Sequence, residues 1–121
     1  MKLEIAALES KVVELKILNE VMKKNGLVLG DTWDYERVSY DRKFENLDTG
    51  EVFYLRVLGY AVEGNIDSGH GQVQLMTPLL GKHYYPHGVE YGEGEDFPKN
   101  IITKSEKILN TVASDIEALV K

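Results

Sequence analysis

Val52-Phe53-Tyr54-Leu55-Arg56-Val57-Leu58-Gly59-Tyr60-Ala61-Val62 is the stretch on which the fold turns. Its residues are β-branched, aliphatic and aromatic, and they are apolar on both parities: Phe53, Leu55 and Val57 on one, Val52, Tyr54, Leu58 and Tyr60 on the other. Such a run reads as a central strand covered on both faces. Arg56 alone breaks it. Just upstream, Val38, Tyr40 and Phe44 alternate with Arg37, Ser39, Asp41, Lys43 and Glu45, the pattern of a strand with one buried face. Leu47-Asp48-Thr49-Gly50 lies between them as a hairpin loop, with Gly where positive φ is wanted.

The register of this hairpin follows from charge. Strands over 36–46 and 51–62 joined by a three-residue loop would set Arg56 against Arg42, two like charges face to face. A four-residue loop sets Arg56 against Asp41, Phe53 against Phe44 and Val57 against Tyr40. Each such cross-strand contact contributes about 0.2–1 kcal/mol, so the second register is expected.

Outward from the hairpin, both ends of the chain have helical spacing. Leu15, Leu18, Val21 and Met22 recur at i, i+3 and i+4, and Asn25-Gly26 supplies a stop. Residues 3–14 fit a backward extension of that helix, a short strand at Val12-Val13, or no fixed structure. Ile101, Ile102, Ile108, Leu109, Val112, Ile116 and Leu119 form one apolar stripe, and Asp96 and Pro98 mark its start, so a helix is expected over 98–119. Leu27-Val28-Leu29 begins a strand running toward Trp33, and Gln72-Val73-Gln74-Leu75-Met76 alternates again until Pro78 ends the strand or marks an edge. Residues 81–97 mix glycine and proline with acids and aromatics and read as an irregular excursion. The whole is an α+β fold: an antiparallel sheet of about four to five strands carrying an N-proximal helix and a long C-terminal helix, in a single domain over 1–121.

Composition narrows the function classes. The chain has 121 residues, 43% of them apolar, and no cysteine, which removes disulfides and thiolate metal sites. The net charge is −6, concentrated in residues 63–98, where Glu63, Asp67, Glu90, Glu93, Glu95 and Asp96 face only Lys82. No basic stripe free of acids can be assembled, so nucleic acid and anionic membranes are excluded as partners. No apolar run is long enough to span a bilayer, and the N-terminal stretch does not resemble a leader, so a cytoplasmic location is expected.

Few residues carry chemistry. His83 and His87 have the spacing of a helical zinc pair, but Pro86 between them would break that helix, and no third ligand has motif spacing. Asp67-Ser68-Gly69-His70-Gly71 packs an acid, a hydroxyl and an imidazole into four positions, too close together to converge as a triad, and turn chemistry explains it better. Glu90, Glu93, Glu95 and Asp96 lack the ligand alternation of a calcium loop, and acids around Gly92-Glu93-Gly94 would repel phosphate. Neither metal nor cofactor is expected. Arg56 is different, because a guanidinium in a two-faced apolar strand must find a partner, for which Asp34 and Asp41 are the candidates. A paired arginine holding the register is the bland reading. A pocket for an anion or polar ligand is the sharp one.

Gly30-Asp31-Thr32-Trp33-Asp34-Tyr35, followed by Leu55-Arg56-Val57 and Ala61-Val62-Glu63-Gly64, resembles the YugN-like family of small bacterial proteins. Pro78-Leu79-Leu80, His83-Tyr84-Tyr85 and Phe97-Pro98 continue the likeness, which extends over roughly residues 8–119. Glu63 stands where the family has Asp, Ile66-Asp67 where Leu-Asp is usual, and the region around 86–96 is shorter than the family's. The resemblance implies a single α+β domain with a short strand ahead of the first helix. It implies no activity.

Two functions of different class follow. The first is a non-catalytic module for protein- or self-association, possible as a homo-oligomer, because two helices can leave one face of a sheet this size uncovered. The second is a small-molecule binder or enzyme whose site would draw on Trp33, Asp34, Tyr35, Asp41, Arg56, Asp67 and His70. The sequence shows no nucleophile–base pair at recognisable spacing, so association is the stronger expectation.

Overall fold

The computed structural model describes residues 1–30, 36–63, 71–84, 88–91 and 97–120. In chain order the elements are β1 (Val12–Glu14), α1 (Leu15–Lys24), β2 (Val28–Leu29), β3 (Arg37–Glu45), β4 (Val52–Glu63), β5 (Gln72–Leu75), β6 (Leu79–Tyr84), β7 (Gly88–Glu90) and α2 (Lys99–Val120). The fold is α+β, with one antiparallel sheet and the two expected helices.

β4 organises the sheet. It pairs along most of its length with β3, from Arg37↔Tyr60 to Glu45↔Val52. On its other side, its first half pairs with β6 (Val52↔His83 to Arg56↔Leu79) and its second half with β5 (Gly59↔Leu75 to Glu63↔Gln72). The spatial order is β1-β5-β4-β3-β2, with β6 and then β7 branching from β4. The hairpin has the four-residue loop and the charge-matched register: Asp41↔Arg56, Phe44↔Phe53 and Tyr40↔Val57. Gly50 takes φ +76° as the turn requires, and Asn46 and Glu51 close the loop by a backbone bond of 2.8 Å.

Both helices pack on the same face. Phe53, Leu55, Val57, Val38 and Tyr40 point into a core shared with Leu15, Leu18 and Met22 of α1 and Leu109, Val112 and Ile116 of α2. The C-terminal helix starts one residue after the expected Pro98, whose carbonyl accepts from Ile101 and Ile102 at 3.0 and 3.2 Å. Ile108 packs against the core, whereas Leu119 is exposed. Gly26 ends α1 at φ +76°, and Arg42 reaches across to donate from Nη1 to the Asn25 carbonyl at 2.9 Å, a cation at the negative end of the helix.

Two readings need correction, and one left open is decided. Residues 81–97 are not wholly irregular: the Leu79–Tyr84 strand continues through 81–84, and Gly88–Glu90 pairs with it. The first forms on β4's free edge and the second on the first, rather than from local alternation, which is why the pattern does not reveal them. Residues 3–14 are not helix. Lys2 bridges Leu79, Leu3 donates to the Pro78 carbonyl at 2.8 Å, turns follow, and Val12–Glu14 is the short strand that the resemblance implied. Finally, β4 is central but not covered on both faces. Phe53, Leu55 and Val57 are buried, whereas Val52, Tyr54, Arg56 and Leu58 are only half-buried, because no helix lies on their side.

Gly59 leaves no room on β4 beside the side chains of Val73 and Val38 on its neighbours β5 and β3. A Cβ built there would lie 2.5 Å from Val73 Cγ1 and 3.3 Å from the Gln74 carbonyl. Valine has little rotameric freedom to yield. Overpacking costs about 1–3 kcal/mol, against about 0.5–1 kcal/mol regained by removing a strand glycine. Gly59→Ala is therefore expected to lower the urea midpoint with an unchanged slope, and an unaltered midpoint would refute the close packing of these three strands.

Candidate functional site

Of the candidate residues, the described structure brings together Asp41 and Arg56. They are cross-strand partners on β3 and β4, on the face turned away from the helices. Arg56 donates from Nε to Asp41 Oδ1 at 2.7 Å and from Nη2 to Oδ2 at 3.0 Å, a bidentate fork. Its Cζ lies 5.1 Å from the centre of the Tyr91 ring, so the cation sits between a carboxylate and an aromatic face. The hydrogen bonds to Asp41 hold the guanidinium above its ordinary pKa despite partial burial. It is a fixed positive charge.

The expectation that Arg56 is largely buried is not met: its side chain keeps 35% of its surface exposed and that of Asp41 25%. The open outer face explains this, since a strand with one uncovered side can carry a charge there without stranding it in the core. Trp33, Asp34, Tyr35, Asp67 and His70 lie outside the described residues, and so does His87. His83 stands edge-on to Tyr54, with ring centres 6.3 Å apart. No group of three His, Asp or Glu side chains that could hold a metal ion occurs among the described residues.

Tyr91 was not singled out by sequence reasoning, yet it completes the environment of Arg56. Its ring fills the space over Gly81, where a Cβ would come within 2.6 Å of it. Burial pushes its phenol above the ordinary pKa, and Arg56 opposes that shift. Its only sequence signal is its place after Val89, whose pairing with His83 was itself invisible.

The same outer face carries an apolar strip. Val12, Gln74, Tyr60 and Arg37 stand in one row across β1, β5, β4 and β3. In the next row Met76 donates its backbone N–H to the Leu58 carbonyl at 2.8 Å. Val12, Tyr60, Val62 and Met76 are exposed, and Leu58, Tyr60, Ala61 and Met76 line a groove of about 380 Å³ with Glu36 and Arg37 on its rim. Val62 falls where the β4–β5 register shifts between Ala61 and Glu63.

Removing Arg56 leaves the Asp41 carboxylate half-buried and unpaired. Burying such a pair fully would make its breakage cost about 3–5 kcal/mol and full exposure would make it cost under about 1, so Arg56→Ala is expected to cost about 2 kcal/mol. Arg56→Met keeps the packing on Tyr91, and Arg56→Met/Asp41→Leu removes the orphaned charge. Chemical denaturation should rank them Ala worst and the double variant mildest. A double variant no better than Arg56→Ala would show that the ion pair does not set the cost.

The comparisons with known proteins agree with this architecture. The YugN-like family matches residues 4–113. YlbA of Bacillus subtilis (strain 168) is 46% identical over 119 residues, covering 98% of either chain, and YugN of the same strain is 30% identical over 93 residues, covering 76% of this chain and 68% of that one. The crystal structure of YugN from Geobacillus kaustophilus HTA426 superposes with a TM-score of 0.84 at 44% identity, covering 98% of this chain and 97% of the other. With the family matched over nearly its whole length, this chain belongs to the YugN-like family.

Proposed function

We propose that this chain is a non-catalytic association domain that pairs with a second copy of itself through the outer face of its sheet. The observation that carries the reading is the cluster of Leu58, Tyr60 and Met76 around one groove on the face without a helix, with Val12 in the row of Tyr60 beyond Gln74. Scattered apolar residues on a surface need no explanation, but exposed ones gathered around a groove gain by being covered.

A metabolite site at Arg56 has less support. Its carboxylate-binding fork is already taken by Asp41, and its flat face by Tyr91.

Sedimentation velocity across a concentration series tests the proposal. The wild type is expected to shift from monomer to dimer between about 1 and 100 µM, a range corresponding to roughly −5.5 to −8.2 kcal/mol. Met76→Glu and Tyr60→Glu are expected to stay monomeric with the wild-type melting temperature, since neither residue reaches the core. A wild type that remains monomeric throughout would overturn the reading.

A further inference from the structure

The opposite flank of the sheet carries a second surface, independent of the outer-face strip. β2 ends the strand order and, among the described residues, pairs with β3 alone. Gly30 donates to the Ser39 carbonyl at 2.8 Å, which makes Gly30 and Ser39 a hydrogen-bonded pair. Antiparallel ladders alternate, so Val28 and Asp41 form the next hydrogen-bonded pair, and Leu29 directs its N–H and C=O away from the sheet. Leu27 cannot extend that free edge, because its N–H is spent on the Met22 carbonyl at 2.9 Å. The edge thus offers one donor and one acceptor, at Leu29.

Beside that residue lies a groove of about 470 Å³ between α1 and β2, with Leu27, Leu29 and Tyr40 giving it an apolar lining. The Tyr40 hydroxyl, which lines it, is satisfied by donation to Asn19 Oδ1, so the groove presents no unmet polar group there. Val28 is 69% exposed, high for a valine in a paired strand. The rim has a sign of its own. Lys23 borders the groove, and Lys24, Arg42 and Lys43 border the opposite flank of β2. Of the acids nearby, Asp41 is held by Arg56, Asp115 lies 3.8 Å from Lys24, and Glu20 stands one turn before Lys23 and Lys24 on α1, leaving the cations in excess. On a chain of net charge −6 this corner is locally basic.

We propose that the β2 edge is a docking strip for a short, extended, acidic segment of a protein partner. One residue of that segment pairs its backbone with Leu29 and lays an apolar side chain in the groove beside Lys23, while the acids on either side point to the opposite face, where Lys24 and Lys43 lie. Strand addition supplies direction, the groove selects an apolar anchor, and the cations select acidic flanks over basic ones.

The test uses fluorescence anisotropy of the full chain with a fluorescein-labelled nonapeptide that alternates Glu with Val and Leu. Its counterpart has Lys in place of each Glu. The acidic peptide is expected to bind and to weaken several-fold as salt rises from about 50 to about 300 mM, because the rim charges are exposed. Leu29→Glu, which blocks the anchor, and the surface variant Lys23→Glu/Lys43→Glu, which leaves the core untouched, should each weaken it at least tenfold. Met76→Glu should bind as the wild type does, separating this strip from the self-association face. Equal binding of the two peptides, no binding of the acidic one, or full binding by Lys23→Glu/Lys43→Glu would overturn the proposal. So would a Leu29→Glu variant whose sole change is a lost dimer, since the occupant would then be a second copy.

Discussion

β4 hydrogen-bonds to three strands, and both helices lie on one side of it. Everything else in the structure accommodates that arrangement. The covered side fills with Phe53, Leu55 and Val57, which meet α1 and α2 in a single core. At Gly59 a Cβ would collide with Val73 on the neighbouring strand. The uncovered side must tolerate water, and there the same strand carries Tyr54, Arg56, Leu58 and Tyr60. A strand with apolar residues on both parities ordinarily means two covering layers. Here one layer is supplied by helices, and the other only in part, by Tyr91 and its neighbours.

The Arg56–Asp41 pair belongs to this arrangement. At the register position it occupies, an apolar pair would have extended the exposed strip toward the hairpin. A bidentate ion pair sets the register and breaks the strip, a device that keeps a sheet from offering a continuous sticky face. Strip and pair therefore divide the outer face. The half nearest the loop is charged and roofed by an aromatic ring, and the half nearest β5 and β1 is apolar and open.

Both terminal segments are tied in by hydrogen bonds. Residues 1–3 run beside β6, with the Met1 amine donating to the Leu80 carbonyl at 2.9 Å and also to the Tyr91 carbonyl. This holds the 88–91 segment against the sheet and so keeps Tyr91 over Arg56. At the other end, Asn25 donates to Asp115 at 3.0 Å and Lys11 to Glu117 at 3.4 Å, joining α2 to the N-terminal half. The exposed charge pairs add little energy on their own. The packing of Leu109, Val112 and Ile116 does the holding.

The hairpin and its register were readable in the residues themselves, because strand pairing there is local and the choice between two loops turned on charges fourteen and fifteen positions apart. The C-terminal helix was readable for a similar reason, since its apolar stripe repeats with the period of the helix over five turns. The resemblance carried by Trp33, Arg56 and Pro78-Leu79-Leu80 added the short strand before α1. What the sequence could not reveal was every strand formed by borrowing an edge. β6, β7 and the bridge at Lys2 have no alternation of their own: β6 forms because β4 leaves its first half open, and β7 and Lys2 then pair with β6. The site followed the same division. Asp41 and Arg56 were legible as a cross-strand pair, whereas Tyr91, Met76 and the β2 groove depend on contacts between distant segments, and such contacts exist only once the sheet has formed.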